Sequence, residues 1–341
     1  MKIVTCTDSD RARWDSFVAR HDADAKYHRW NWKYVFENSF HWPTCYLAAE
    51  QDGELLGILP LVWQKSRFRN YISSMPHLNG GGILADNPGA EQALLSHAIA
   101  FSREAKAIYL ELRQPVKHAS SLATRSDKVG AVLELPPDGD SLLQQLDKKT
   151  RNLVRKSLTF GTTVEIGGVE LLGEFYAVYR YNMRDLGSPA YAPEFFEQIC
   201  SAFPEGTYIC IARKEGATIA AAFLTGFKDK AEVMWASSYR HYLALKPNMF
   251  LYWNLLLFAA RKQYKWFDFG RSSVDSSTLD FKLQWGARTT LLSWSYWLPQ
   301  GATLPSTKGA GMQLARRIWR RLPLGITDHV GPRLMKYIPG V

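Results

Sequence analysis

Two stretches of this chain follow one plan, and the spacing of their landmarks limits the fold more than any single motif. "CYLAAEQDGELLGILPLVW" and "YICIARKEGATIAAAFLTGF" both read as β-hairpins with a charged residue and a glycine at the tip, Asp52-Gly53 and Glu215-Gly216. Asp-Gly supplies the positive φ that a tight hairpin needs, and in Glu-Gly the glycine is expected to supply it alone. Each hairpin leads to a strand ending in Ser-Ser ("YISS" and "MWASS") and then through a polar loop into a helix. A short strand ending in arginine follows ("AIYLELR" and "KWFDFGR"). Gly53 to Arg113 spans 60 residues and Gly216 to Arg271 spans 55. A repeat of about 160 residues is far too long for a solenoid, so the expectation is two copies of one α+β domain. The domains are placed at 1–138 and 139–300, each a mixed central sheet flanked by helices, with a basic tail over 301–341.

Composition narrows the class. With 46% apolar and 22% charged residues the chain reads as an ordinary globular protein. The start, "MKIVTCTDSDRARWDSF", has no apolar run of signal-peptide type, which predicts a cytoplasmic protein. Cys6, Cys45, Cys200 and Cys210 lack metal-ligand spacing and are expected to be buried thiols, with no metal site. The most apolar segment, "MFLYWNLLLFAA", is too short to span a bilayer, contains Asn254 and reads as a buried helix.

Charge is uneven. From Ala302 to the C-terminus seven basic residues stand against one acid, Asp328, so six of the ten net positive charges lie there. In "MQLARRIWRRLPLGITDHVGPRLMKYI" Leu314, Ile318 and Leu322 share one helical face with arginines beside it. Two readings are open: contact with an anionic membrane through residues 308–338, or packing on the second domain with the charges left in water. The small excess outside the tail argues against general nucleic-acid binding.

Several segments carry candidate chemistry. In "PPDGDSLLQQLDKKTRNLVRKSLTFG", Pro136, Pro137 and Gly139 break the chain, Ser141 is the expected N-cap, and Gly161 the left-handed C-cap of one helix. Leu143, Leu146, Thr150, Leu153, Ser157 and Leu158 form its stripe, while Lys148, Arg151 and Arg155 share another face. Those three are either a solvated face or a phosphate or carboxylate contact. "PHLNGGGIL" places Asn79, Gly80 and Gly81 in a loop whose N–H groups can approach a phosphate or sugar, although a plain turn looks the same. Trp63, Trp235 and Trp294 are expected in the core; Trp30, Trp32 and Trp42 suit a cleft rim.

In "AIYLELR" alternation sends Ile108, Leu110 and Leu112 one way and Tyr109, Glu111 and Arg113 the other. "WFDFGR" repeats this with Asp268 between two phenylalanines, either a general base of raised pKa or the ion-pair partner of Arg271. Asp275 or Ser276 can then cap a short helix ended by Gly286, with Leu279/Leu283 and Phe281/Trp285 as apolar pairs; the alternation also fits a strand. In either case Lys282 stands beside aromatic residues, where a cation needs a partner. It is the leading catalytic candidate. "GRSS" lacks the spacing of a nucleophile elbow, so Ser272 reads as a turn residue.

Taken twice, the order hairpin, strand, helix, strand, helix, strand is similar to tandem GNAT-type acyltransferase domains. "KKTRNLVRKSLTFG", "DFG" and "FKLQWGA" together resemble the FemAB family of peptidoglycan aminoacyltransferases, over roughly residues 25 to 298. "MRDLGSPAYAPEFF" and "WASSYRHYLALKPN" resemble its exosortase-associated (PEP-CTERM) relatives, tied to exopolysaccharide. The resemblance implies transfer of an aminoacyl or acyl group onto an amine of a cell-envelope precursor, peptidoglycan or exopolysaccharide, in a cleft between the halves. The family's Phe-Lys motif falls on Lys282, which would stabilise the oxyanion, with Asp268 or the substrate taking the proton.

The substrate-binding set is Arg271, Arg151, Arg155, Asn79, Gly80, Gly81, Tyr191, Trp32 and Trp285. No cofactor is implied: aminoacyl-tRNA or acyl-CoA is a co-substrate, and the acceptor is a small or lipid-linked precursor. In the family's muropeptide enzymes an arginine four residues before a Tyr-Phe pair helps hold nucleotide phosphates. Here Tyr191 and Phe195 occupy those places, and the coiled-coil insertion of some members is absent. Two alternatives stay open: acyl-CoA-dependent acylation of an amino sugar in exopolysaccharide synthesis, and a non-catalytic binding protein of the same fold.

Overall fold

A computed structural model describes residues 1–66, 69–114, 122–304 and 310–338; Lys308, counted above in the tail, lies outside them. Along the chain come β1 (Lys2–Thr5), α1 (Arg11–Arg20), α2 (Trp32–Phe40), β2 (Thr44–Gln51), β3 (Glu54–Lys65), β4 (Asn70–Ser73), β5 (Leu84–Ala85), α3 (Pro88–Glu104), β6 (Tyr109–Gln114) and β7 (Ala123–Glu134). Then follow α4 (Gly139–Gln145), α5 (Lys148–Leu158), β8 (Thr162–Gly167), α6 (Leu172–Leu186), α7 (Pro193–Ala202), β9 (Thr207–Lys214), β10 (Ala217–Phe227), β11 (Lys230–Ser238) and α8 (Pro247–Arg261). The last elements are β12 (Trp266–Asp268), β13 (Ser272–Ser273), α9 (Ser277–Leu283), β14 (Arg288–Trp297), α10 (Ala310–Trp319) and α11 (Leu324–Met335).

The chain divides into two compact units that differ from the expected cuts at 138 and 300. The first is Met1–Lys128 with Leu291–Thr307 and Lys336–Val341; the second is Val129–Thr290 with Lys308–Met335. Pairing explains the first difference, because Ser293–Trp297 of β14 forms an antiparallel ladder with β6 and so belongs to the first unit's sheet. The tail helices join the second unit through α6 and are not a separate body.

In the first unit the strands run β1-β2-β3-β4-β6-β14, with β4 and β6 parallel. Leu47, Leu59, Ile72, Leu110 and Leu112 of this sheet pack with Ala90, Leu94 and Ala98 of α3. In the second unit the order is β8-β9-β10-β11-β12-β7, with β11 and β12 parallel. One core joins Ile219, Ala222 and Leu224 of β10 to Leu251, Leu255 and Leu256 of α8 and to Leu142, Leu146 and Val154. The apolar segment at Met249 is therefore the buried helix its length predicts.

Both hairpins form at the expected tips, with one refinement. Asp52 and Gly53 have φ of 54° and 87°, and Glu215 and Gly216 have 51° and 81°. Positive φ at both central residues is the type I′ turn, so Glu215 itself adopts the left-handed conformation and Gly216 does not act alone.

The helix expected from Ser141 to Gly161 is two helices. Asp138 caps α4 by accepting from Ser141 N–H at 2.7 Å, and Asp147 caps α5 by accepting from Thr150 N–H at 2.8 Å. Aspartate one turn before a new run of helix formers offers a second N-cap, and the backbone takes it. The break rotates the inner stripe to Leu142, Leu146, Thr150, Val154 and Ser157, leaving Leu158 exposed; Gly161 is left-handed but lies beyond the cap residue Thr159. Among the described residues no helix is long and apolar enough to cross a membrane.

Candidate active site

The polar stretch that follows β12 folds into a turn and a helix that seat a lysine. Asp268 ends β12, and its Oδ1 accepts from Gly270 N–H at 2.7 Å, reversing the chain. Ser276 then caps α9 by accepting from Leu279 N–H at 3.2 Å, which decides for the helix over the strand. Lys282, one turn farther on, points back at the turn: its Nζ donates to the carbonyl oxygens of Gly270 at 2.8 Å and Arg271 at 2.9 Å.

Lys282 is only 4% exposed. Burial lowers its pKa to about 8, the Asp268 carboxylate pulls it up, and the Arg271 guanidinium pulls it down. The protonated amine has three donors and the two carbonyls take two, so the third N–H has no hydrogen-bond acceptor among the described residues. Tyr252, Phe269, Phe281 and Trp285 form a ring cluster in the same core. Ser272 Oγ and Trp285 Nε1, both buried, have no hydrogen-bond partner among the described residues. Asp268, Arg271 and Lys282 are thus brought together, and Trp285 lies one turn beyond Lys282 with its ring buried.

The parallel strands ahead of this turn separate. β12 pairs with β11 only at Lys230–Glu232, whereas β11 continues to Ser238. On that side Val233 to Ser238 have no strand partner among the described residues, and Met234, Trp235 and Ala236 are half-buried. In the first unit the corresponding pair does not part: β4 and β6 stay in register to Ser73 and Glu111, and Ser74 N–H donates to Glu111 O at 2.8 Å.

Other expected residues fall elsewhere. Arg151 donates to Leu146 O at 3.0 Å, tying down the break between α4 and α5, while Arg155 is exposed. Tyr191 is buried among Tyr179, Phe195, Phe196 and Trp235, where α6 and α7 cover the sheet. Trp32 is no rim residue. Its indole is buried, donates to Lys26 O at 2.9 Å and packs on Phe36, and Trp30 and Trp42 are buried as well, because α2 and its approach turn their aromatic side inward.

Asn79, Gly80 and Gly81 belong to a packed loop. A Cβ at Gly80 would lie 2.9 Å from Tyr27 Cδ2, and one at Gly81, whose φ is +103°, would lie 2.4 Å from Met75 Cγ. The close backbone approach there is to the protein's own side chains.

What pins that loop is a network the alternation pattern did not single out. Arg113, fully buried, donates through Nε to Glu111 at 2.5 Å and through Nη1 to Leu78 O at 2.5 Å, and its guanidinium lies 4.1 Å from the Trp294 ring centre. Tyr296 Oη donates to the other Glu111 oxygen at 2.7 Å. His28 Nε2 meets Gly82 O at 2.7 Å; burial lowers its pKa to about 4, so it is neutral and donates. The sequence signal was present in "YLELR", but the strand's polar face turned out to be buried.

Comparison with known proteins bears on the fold. Residues 141–283 match the acetyltransferase (GNAT) domain family. No curated protein matches the chain by sequence. Among solved structures the chain is similar to FemX at 16% identity, with 94% of this chain and 100% of that one covered and a TM-score of 0.68. A tandem GNAT protein from the clavulanic acid biosynthesis pathway gives 13% identity, 89% and 99% coverage and a TM-score of 0.56. The C-terminal domain of a putative lysylphosphatidylglycerol synthetase from Agrobacterium fabrum gives 13%, 90% and 94%, and 0.56. The chain therefore has a tandem GNAT-like fold, and its residues 141–283 are similar to the GNAT acetyltransferase domain family.

Proposed function

We propose that the chain is an N-acyltransferase that moves an aminoacyl or acyl group onto an amine of a cell-envelope precursor. The observation that carries this reading is the buried Lys282 ammonium, held by two backbone carbonyls with one N–H left over. The acceptor nitrogen attacks the donor's carbonyl carbon, and the charge developing on the carbonyl oxygen is met by that N–H. The C–O or C–S bond to the donor then breaks, and the amine's proton passes to Asp268 or directly to the departing oxygen or sulfur. Lys282 needs no reorganisation during the step, because the carbonyls already orient it.

The motifs that resemble the FemAB family, carried on a fold similar to that of FemX, support an aminoacyl donor and an envelope acceptor. A second reading, acyl-CoA as donor and an amino sugar as acceptor, is favoured by the acetyltransferase domain over residues 141–283. Both use the same lysine. Purified protein offered charged tRNA and acetyl-CoA in parallel, with envelope precursor extracts, separates them through the mass gained by the acceptor. Gain with neither donor, under conditions where the protein is folded, would leave a binding protein and overturn the proposal.

A further inference from the structure

The tail helix α10 is mounted in an unexpected sense. An amphipathic helix ordinarily buries its apolar side and leaves its charges in water. Here the anchored side carries Arg316, with Arg320 just past the helix end, and both meet the end of α6, while Trp319 on the same side faces Gly331 of α11. Arg320 Nη2 donates to Leu186 O at 3.2 Å, and a Cβ at Gly187 would fall 2.8 Å from Arg316 O, so the contact is close at the backbone itself. The opposite side carries Leu314 and Ile318, one turn apart, and these are 59% and 54% exposed. At 100° per residue Arg317 projects beside Leu314 on that outer side, and Arg321, in the turn that follows the helix, is exposed as well.

The charge of this region is also turned outward. Residues 310–338 hold six basic side chains and one acid, and that acid, Asp328, is occupied by an ion pair with Arg180 of α6. A second copy of the chain is a poor occupant for the Leu314–Ile318 face, because two-fold pairing would set arginine against arginine. A nucleic acid would satisfy the arginines and leave the two aliphatic side chains unused. An anionic bilayer satisfies both, since leucine and isoleucine enter the acyl boundary while arginines reach the headgroup phosphates.

We infer that α10 is a docking surface for anionic phospholipid membranes, seated through Leu314, Ile318, Arg317 and Arg321. This is independent of the acyl-transfer chemistry and stands or falls separately from it.

The test uses the full chain in sedimentation with vesicles of phosphatidylglycerol and phosphatidylcholine in equal parts, and with vesicles of phosphatidylcholine alone. Wild-type protein should bind the anionic vesicles at least about tenfold more tightly. The double substitution Leu314→Gln/Ile318→Gln should weaken that binding by about tenfold or more. Arg317→Gln/Arg321→Gln should weaken it by roughly 25-fold, at about fivefold per arginine near a charged surface, and added salt should do the same. Leu314, Arg317 and Ile318 of α10 and Arg321 of the turn after it are all exposed, so these variants leave the core intact. Equal binding to both vesicle types overturns the inference. So does an arginine-dependent interaction that Leu314→Gln/Ile318→Gln leaves unchanged, which would assign the helix to a polyanion such as nucleic acid. A self-association abolished by the same apolar variant would assign it to a second copy and likewise overturn it.

Discussion

Lys282 Nζ stands 2.8 Å from the carbonyl oxygen of Gly270, a bond that ties α9 to the turn following β12. It makes the lysine part of the fold and of the chemistry at once, and the two roles can be measured apart.

Lys282→Met keeps the aliphatic stem and deletes the donor. Turnover should fall by about 10², the usual scale for removing one oxyanion donor. Unfolding free energy should fall by about 1–3 kcal/mol, because two buried carbonyls lose their partner. Steady-state kinetics alongside urea unfolding checks both, and unchanged turnover would remove the lysine from catalysis.

The lowered pKa of Lys282 sets a pH signature. If the ammonium is the working form, kcat/KM should decline above about pH 8 as the group deprotonates. Asp268 raises that pKa, so Asp268→Asn should move the descending limb to lower pH whatever it does to the maximal rate. Stability has the opposite slope. Between about 8 and 10.5 the unfolded lysine holds its proton while the folded one has lost it, so stability rises with pH across that window and is penalised below it. Lys282→Met should abolish the rise, read by denaturant titration at several pH values.

His28 should govern acid sensitivity of the first unit. Its pKa near 4 is below that of the unfolded side chain at about 6.5, so its contribution is fully present above 6.5 and is lost as pH falls towards 4. The linked loss is about 3 kcal/mol at most, given about 1.4 kcal/mol per unit. His28→Gln, which still offers a donor to Gly82 O, should flatten the stability profile between pH 6.5 and 4.

Arg113→Met should destabilise the protein by about 3–5 kcal/mol, since it takes away the ion-pair partner of the buried Glu111 and leaves the Tyr296 hydroxyl as a donor to it. Adding Glu111→Gln should recover part of that loss by removing the uncompensated charge. A double mutant no more stable than Arg113→Met in chemical denaturation would refute the coupling.

Much of the candidate site was legible before any coordinates. Ser276 as a cap, the short helix and a lysine needing a partner all follow from residues within ten positions of one another, where local hydrogen bonding decides. Its partners were not legible, because they are the backbone carbonyls of Gly270 and Arg271, and every residue has a carbonyl. The inward position of Trp32 was not legible for a related reason. A large aromatic ring is as suitable for a core as for a binding surface, and only its neighbours choose.

By itself the sequence determined the duplicated plan, the two hairpin tips and the α9 cap, since turns and caps answer to short-range sterics and nearby donors. Tertiary structure decided the rest. Burial of the polar side of β6 turned Glu111 and Arg113 into an internal ion pair, and the parting of β11 from β12 distinguished the second copy from the first. The mounting of α10 with Leu314 outward was decided in the same way, by contacts with α6 far along the chain. Which side of an amphipathic element faces inward depends on what long-range packing brings against it, and periodicity alone carries no information about that neighbour.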